Sequence, residues 1–134
     1  MKGQMAEINP SIYRAYDIRG RYPSELDEEA TEKVARSLAK HFFGKGPVVV
    51  AHDARKSSPA LYESAIKGFE GKDIISMGPS TTPMFYFFVV MKKAAGGIMV
   101  TASHQPAEWN GLKTVGPRAA PINGFDIKKI MDKE

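Results

Sequence analysis

The chain has no cysteine, which excludes disulfides and thiolate-held zinc and fits a reducing compartment. It also lacks any long hydrophobic run. The greasiest stretch, from Met84 to Met91, is eight residues, far short of the ~20 that a membrane-spanning helix needs. The first residues, Met1-Lys2-Gly3-Gln4-Met5-Ala6-Glu7, carry no apolar segment and do not read as a signal peptide. Cytoplasm is therefore the default location, and no membrane role is expected. Clustered charge is missing too. Nineteen basic against fifteen acidic residues give a formal +4, but the cations are scattered, which argues against a nucleic-acid patch. A mild positive field of this kind suits a small anionic substrate. No internal repeat or low-complexity segment is visible, and 134 residues suffice for one domain, 1–134, around one core.

What is present alternates between strand and helix patterns. After a loose lead-in over residues 1–12, Ile12 to Ile18 mixes aromatic, β-branched and charged residues and reads as a first strand ending at Gly20. Pro23-Ser24 opens a helix with Ser24 and Asp27 spaced as a capping box. Val34, Leu38 and Phe42, with Ala35 and Ala39 beside them, give that helix one apolar face, and Gly44 and Gly46 end it. Val48-Val49-Val50-Ala51 is uncharged and β-branched, a strand covered on both sides. Ser58-Pro59 reads as N-cap and first helical position, followed by the stripe Leu61, Ala65, Phe69. Asp73 to Met77 is a third strand, halted by Gly78-Pro79. Thr82-Pro83 starts a third helix reaching about Lys93, with Phe85, Phe88 and Val89 toward the sheet. Gly97-Ile98-Met99-Val100 is a fourth strand, and Asn110-Gly111 supplies a tight turn into a fifth, Leu112 to Val115. Pro117 to Pro121 is a surface loop and Asp126 to Asp132 a last helix. Strand–helix alternation of this length means βαβ crossovers. The expected fold is a three-layer α/β/α sandwich around a mainly parallel mixed sheet with an antiparallel edge strand.

The residues able to do chemistry collect where strands end. Thr101-Ala102-Ser103-His104-Gln105-Pro106 follows the fourth strand directly, and open α/β sheets bind ligands at the carboxyl ends of their strands. The hairpin-like connection brings Lys113 back toward Ser103. Ser103 and His104 are adjacent, so they do not form a hydrolase pair, which is built from residues distant in sequence. The Gly-x-Ser-x-Gly elbow is absent as well. A strand-end serine can still carry a phosphoryl group where cations hold its oxygens; the plainer reading is a turn serine beside a hydrogen-bonding histidine. Tyr16-Asp17-Ile18-Arg19-Gly20 puts an arginine fork at the end of the first strand, either for an anion or as half of an Asp17–Arg19 surface pair. His52 to Ser58, with Arg55 and Lys56, runs into a helix N-terminus and suits an anion, or is a plain helix start.

In order and spacing, Tyr16 to Gly20, His52 to Ser58, Gly78 to Pro83 and above all Thr101 to Lys113 resemble the α-D-phosphohexomutases, meaning phosphoglucomutase and phosphomannomutase. The Thr-Ala-Ser-His-x-Pro…Asn-Gly-x-Lys signature is the most specific part. The first motif, with its tyrosine, leans toward the bacterial and archaeal branch. Members of that family interconvert the 1-phosphate and 6-phosphate of a hexose through a bisphosphorylated sugar. The resemblance implies that Ser103 is the phosphoserine that donates and recovers the phosphoryl group, with Mg²⁺ on its phosphate. His104 would lie beside the transferring group, Lys113 and Arg19 would stabilise charge, and Lys113 would be a candidate for proton transfer. Tyr16 and Arg55 would be substrate-binding. Gln105 stands where the family usually has asparagine.

The resemblance extends only to the family's first domain. The Asp-Gly-Asp metal loop of the second, the sugar-discriminating loop of the third and the phosphate clamp of the fourth have no counterpart in this sequence. The implied partners are a hexose phosphate, a hexose bisphosphate and the remaining mutase domains or a complementing chain; without these, the chain is expected to be inactive as a mutase. The alternative from another functional class is a non-catalytic module that binds phosphosugar or docks on a mutase. A structural or nucleic-acid role has only the +4 charge behind it. If a second domain packs on this one, an apolar patch is expected near the carboxyl terminus, where it would also favour self-association.

Overall fold

The computed structural model describes residues 7–134; the start of the lead-in, Met1 to Ala6, lies outside the described residues. In chain order the elements are β1 (Ile18–Arg21), α1 (Glu28–His41), β2 (Val48–His52), α2 (Ser58–Gly68), β3 (Ile74–Pro79), α3 (Thr82–Met91), β4 (Gly96–Val100), β5 (Trp109–Val115) and α4 (Gly124–Asp132). The sheet order is β1-β5-β4-β2-β3. β2 is parallel to both β3 and β4, whereas β5 is antiparallel to β4 and to β1. Strands β1 to β4 therefore share one direction and their carboxyl ends share one rim. The expected antiparallel element is present, with β5 second from the edge and β1 outermost.

The central position of β2 follows from its composition. All five of its residues are buried, and β-branched side chains pack well when both faces of a strand are covered. On one side lie α1, α2 and α4, joined through Val34, Leu38, Leu61, Ala65, Phe69 and Ile127. On the other, α3 presents Phe85 and Val89 to Val49, Ala51 and Met99. The stripes read from sequence are thus the faces that meet the sheet.

Three boundaries differ from the sequence reading. The first strand starts at Ile18, because Pro10–Ile12 forms a 3-10 turn. Proline suits the start of a helical turn, and the Asn9 side chain accepts from the Ser11 N–H at 2.9 Å. α1 begins after Asp27, whose carboxylate accepts from Ala30 N–H at 2.9 Å; Ser24 does not cap it. The backbone first turns at Arg21, with Glu25 and Leu26 N–H both donating to its carbonyl, and this drops Leu26 fully into the core. At α2 the cap position is Ser57, with Ser58 inside the helix.

The apolar patch expected near the carboxyl terminus is instead on α3, across the sheet from α4. Met84, Phe87, Val90 and Met91 are exposed there, and Phe125 is the one large exposed apolar residue of α4 among the described residues. α3 carries no charge at all along its outer face.

Helices α1 and α2 touch at Gly68. A Cβ there would stand 2.4 Å from the Glu32 carbonyl oxygen and 2.6 Å from the Ala35 methyl. Gly68→Ala is expected to lower unfolding free energy by about 1–3 kcal/mol through overpacking. Ser37 works the other way: its hydroxyl is buried in α1 without a partner among the described residues. Ser37→Ala should raise stability by roughly 0.5–1.5 kcal/mol, from the relieved hydroxyl and the better helix former. Urea midpoints of the two variants, read at constant m-value, check both signs.

Candidate active site

The connection from β4 to β5, Thr101 to Glu108, lies on the rim where the parallel strands end. Its two ends are fixed by the ladder, with Thr101 N–H donating to the Gly111 carbonyl at 2.9 Å, and by Tyr22 N–H donating to the Glu108 carbonyl at 2.8 Å. The Tyr22 phenol hydrogen-bonds the Glu28 carboxylate; this bond, and then burial, push its pKa up to about 12. Between these anchors Ser103 and His104 are exposed. Ser103 has φ of +57°, a left-handed conformation that non-glycine residues adopt at a cost. Its N–H donates to the Thr101 hydroxyl at 3.1 Å.

Asn110-Gly111 forms no turn. Both residues lie within β5, and the chain reverses earlier, in the loop. Asn110 is fully buried and its amide donates to the Ser57 hydroxyl at 2.7 Å and the Ser58 hydroxyl at 3.0 Å, while its Oδ1 accepts from Gly111 N–H at 2.8 Å. Gly111 has to be glycine for a different reason from turn geometry. A Cβ would come within 2.6 Å of the Ile18 carbonyl oxygen and 2.8 Å of that of Thr101.

Side chains on a strand alternate between faces. Trp109, Gly111, Lys113 and Val115 of β5 therefore share one face, and Val115 packs with α3 there. Arg19 is paired with Gly111 and Arg21 with Trp109, so both arginines lie on the same face. Arg19 and Lys113 are diagonal neighbours, about 7–8 Å apart by strand geometry. Lys113 is paired with Met99, two residues inside the Thr101–Gly111 level, or roughly 7 Å from it. Register thus brings Arg19 and Lys113 together below the serine loop. Arg21 joins them, its guanidinium carbon 5.7 Å from the Trp109 ring centroid. Sequence reading missed it because the first strand was placed too early.

Arg19 donates twice to Asp17 Oδ2, from Nη2 at 2.7 Å and Nε at 3.2 Å. Asp17 is buried, so the pair is a fixed mount for the guanidinium rather than a loose surface contact. Tyr16 is 81 % exposed. Arg55 sits under the loop. Its Nη1 donates to the carbonyls of Pro106 (2.7 Å) and Trp109 (3.1 Å), and its Nη2 to those of Ser103 (2.9 Å) and Gln105 (2.6 Å). Nε lies 3.5 Å from Asp53 Oδ2. A guanidinium has five donors; the four on the Nη atoms go to carbonyls, and the Asp53 carboxylate faces Nε. Asp53 Oδ1 in turn accepts from the Arg55 N–H at 3.1 Å and from the Ser58 hydroxyl. Asp53, Ser57, Ser58 and Asn110 make up a support that no motif spacing announced.

A cavity of about 610 Å³ is lined by Ile8, Tyr13, Lys33, Arg36, Lys128 and Met131 among others, between α1, α4 and the start of the described chain. None of the strand-end residues above lines it. As for magnesium, among the described residues no group of three or more His, Asp or Glu could hold a metal ion.

Asn110→Ala is expected to cost about 1–3 kcal/mol, since it strips the Ser57 and Ser58 hydroxyls and the Gly111 N–H of a buried partner. Chemical denaturation should show a lower midpoint with unchanged m-value.

With this geometry in view, comparison with known proteins is specific. A family model for the phosphoglucomutase/phosphomannomutase alpha/beta/alpha domain I matches residues 10–133. The chain is 45 % identical over 113 residues to the phosphohexose mutases protein of Xanthomonas campestris pv. campestris (strain B100), covering 83 % of this chain and 25 % of that protein. It is 38 % identical over 129 residues to a phosphomannomutase sequence of Klebsiella pneumoniae, covering 92 % of this chain and 82 % of that sequence. A crystal structure of a phosphoglucomutase/phosphomannomutase family protein from Burkholderia thailandensis superposes with a TM-score of 0.84 at 31 % identity, over 95 % of this chain and 30 % of that one. The chain spans about a quarter of the length of the Xanthomonas relative. It belongs to the phosphoglucomutase/phosphomannomutase family and carries that family's alpha/beta/alpha domain I.

Proposed function

We propose that this domain supplies the phosphoryl-carrying serine of a phosphohexomutase, acting on a hexose phosphate through a hexose bisphosphate. The observation that carries the reading is Ser103, exposed on the rim loop in a left-handed backbone. On the sheet that carries this loop, register puts two cations on one face. Phosphoserine carries roughly −1.5 to −2 charges. Moving its phosphoryl group depends on cations already in place when charge shifts between oxygens. Arg19, clamped by buried Asp17, and half-buried Lys113 meet that requirement.

In the transfer, the P–Oγ bond of phosphorylated Ser103 breaks as a P–O bond to a sugar hydroxyl forms. The hydroxyl's proton leaves to solvent, and Oγ takes a proton to end as the alcohol, for which the Lys113 ammonium, reprotonated afterwards from solvent, is the candidate donor. Return of the other phosphoryl group from the bisphosphate reverses these bonds. His104, exposed beside Ser103, would donate to phosphoryl oxygens, while Tyr16 would meet the substrate from the β1 side. Full turnover would require the remaining three quarters of the polypeptide that longer relatives possess, attached or separate. The uncharged outer stripe of α3 is a surface suited to such packing. A cysteine-free chain handling phosphosugars fits the cytoplasm.

The test is uptake of one phosphoryl group from glucose 1,6-bisphosphate, followed by intact mass, with and without the remaining domains of the Xanthomonas relative. Ser103→Ala is expected to abolish uptake, and Lys113→Met to slow it about 100-fold. Undiminished uptake in the Ser103→Ala protein would rule the reading out.

A further inference from the structure

One guanidinium holding four carbonyls of a single short loop is a stronger statement about that loop than any motif. The oxygens of Ser103, Gln105, Pro106 and Trp109 all converge on Arg55. None of these four contacts is a ladder hydrogen bond. Four carbonyl dipoles aimed at one point repel one another unless a cation stands there, and its donors must fan out in a plane to reach them. Lysine offers three donors on a single nitrogen; arginine's planar fork is the matching shape.

The energetics point the same way. The left-handed backbone at Ser103 costs about 1–2 kcal/mol. Hydrogen bonds from a charged donor contribute about 1.5–3 kcal/mol each, so even the bond to the Ser103 carbonyl alone offsets that strain. Arg55 is itself fixed: its side chain is 15 % exposed, and Asp53 lies 3.5 Å from Nε while its other oxygen takes the Arg55 N–H and the Ser58 hydroxyl. Ser58 accepts from Asn110 at the start of β5, which ties the support to the strand on which the loop ends.

We propose that Arg55 is a positioning residue: seated on Asp53, it gathers the loop's carbonyls beneath the rim and so holds Ser103 in the left-handed conformation that presents its hydroxyl. The functional meaning rests on Ser103 being the phosphoryl carrier. In that setting the arrangement does a second thing. It keeps four negative carbonyl ends turned toward Arg55, away from an incoming phosphoryl group, and it adds a largely covered positive charge under the loop. Arg55 does not touch the substrate; its effect passes through Ser103.

Amide hydrogen exchange by NMR on the full chain tests this without any phosphosugar, so its outcome is separate from whether Ser103 takes up phosphate. The N–H groups of Ser103, Gln105 and Trp109 are each hydrogen-bonded within the loop and report its order. In Arg55→Ala and Arg55→Lys these three amides are expected to exchange about 10–100-fold faster. The β2 and β4 amides should stay within about twofold, and the Ser103 Cα and Cβ shifts should leave left-handed values. Methylguanidinium should restore Arg55→Ala, and methylammonium should not. Three results would overturn the proposal: unchanged loop exchange in Arg55→Ala, equal acceleration throughout the sheet, or full restoration by lysine or methylammonium. The last would mean that charge alone suffices.

Discussion

The β4–β5 loop has more carbonyl oxygens than its own turns can pair, and a single planar cation resolves the excess. That is the constraint on which the rest of the site depends. The loop is tied to the body of the domain, because the carbonyls of Ser103, Gln105 and Pro106, and of Trp109 at its end, are held from beneath. Arg55 comes from the connection between β2 and α2, Asn110 from the start of β5, and the Ser58 hydroxyl that links them through Asp53 from the first residue of α2. These elements neighbour one another only because β4 lies between β2 and β5 in the sheet. Strand order, a global property, thereby fixes the conformation of one serine.

Strand direction does the complementary work for the charges. Since β5 runs against β4 and β1, its odd-numbered residues face the same side as Arg19 and Arg21. On that side the packing of α3 falls on β2 and β4. Lys113 and the two arginines are left partly open to solvent beside it. A layer of helix over β1 and β5 would have buried those cations at a large desolvation cost. The sandwich is therefore lopsided in a way that suits an anion: three helices close one face, and one helix leaves the other accessible next to the rim.

Much of this was legible in the chain, and the parts that were not have physical reasons. Helix faces such as Val34–Leu38 and Leu61–Ala65–Phe69 announce themselves through period alone, and an uncharged β-branched run such as Val48 to Val50 can hardly be anything but a covered strand. Asn110-Gly111 was misread because the turn signal and the close-packing signal are the same two letters. Here glycine is required by the oxygens of Ile18 and Thr101, 2.6 and 2.8 Å from a would-be Cβ. That requirement comes from neighbours over 90 residues away in the chain in one case. Ser24 lost the cap to Asp27 because Leu26 had to reach the core first. That Arg55 hydrogen-bonds four carbonyls was not legible, because its acceptors lie about 50 residues on and meet it only in the fold.

The same distinction explains why the chemistry is divided as it is. Fixed cations and a fixed nucleophile can be built from one sheet, since strands set their spacing and a loop can be held from below. A divalent metal demands several carboxylates converging on a point. Three acidic residues around the loop are structural partners: Asp17 to Arg19, Asp53 to Arg55 and Ser58, and Glu28 to Tyr22. Releasing any of them to a metal would free an arginine mount or the loop support. Those carboxylates thus serve the fold of the rim, as mounts for Arg19 and Arg55 and a partner for Tyr22.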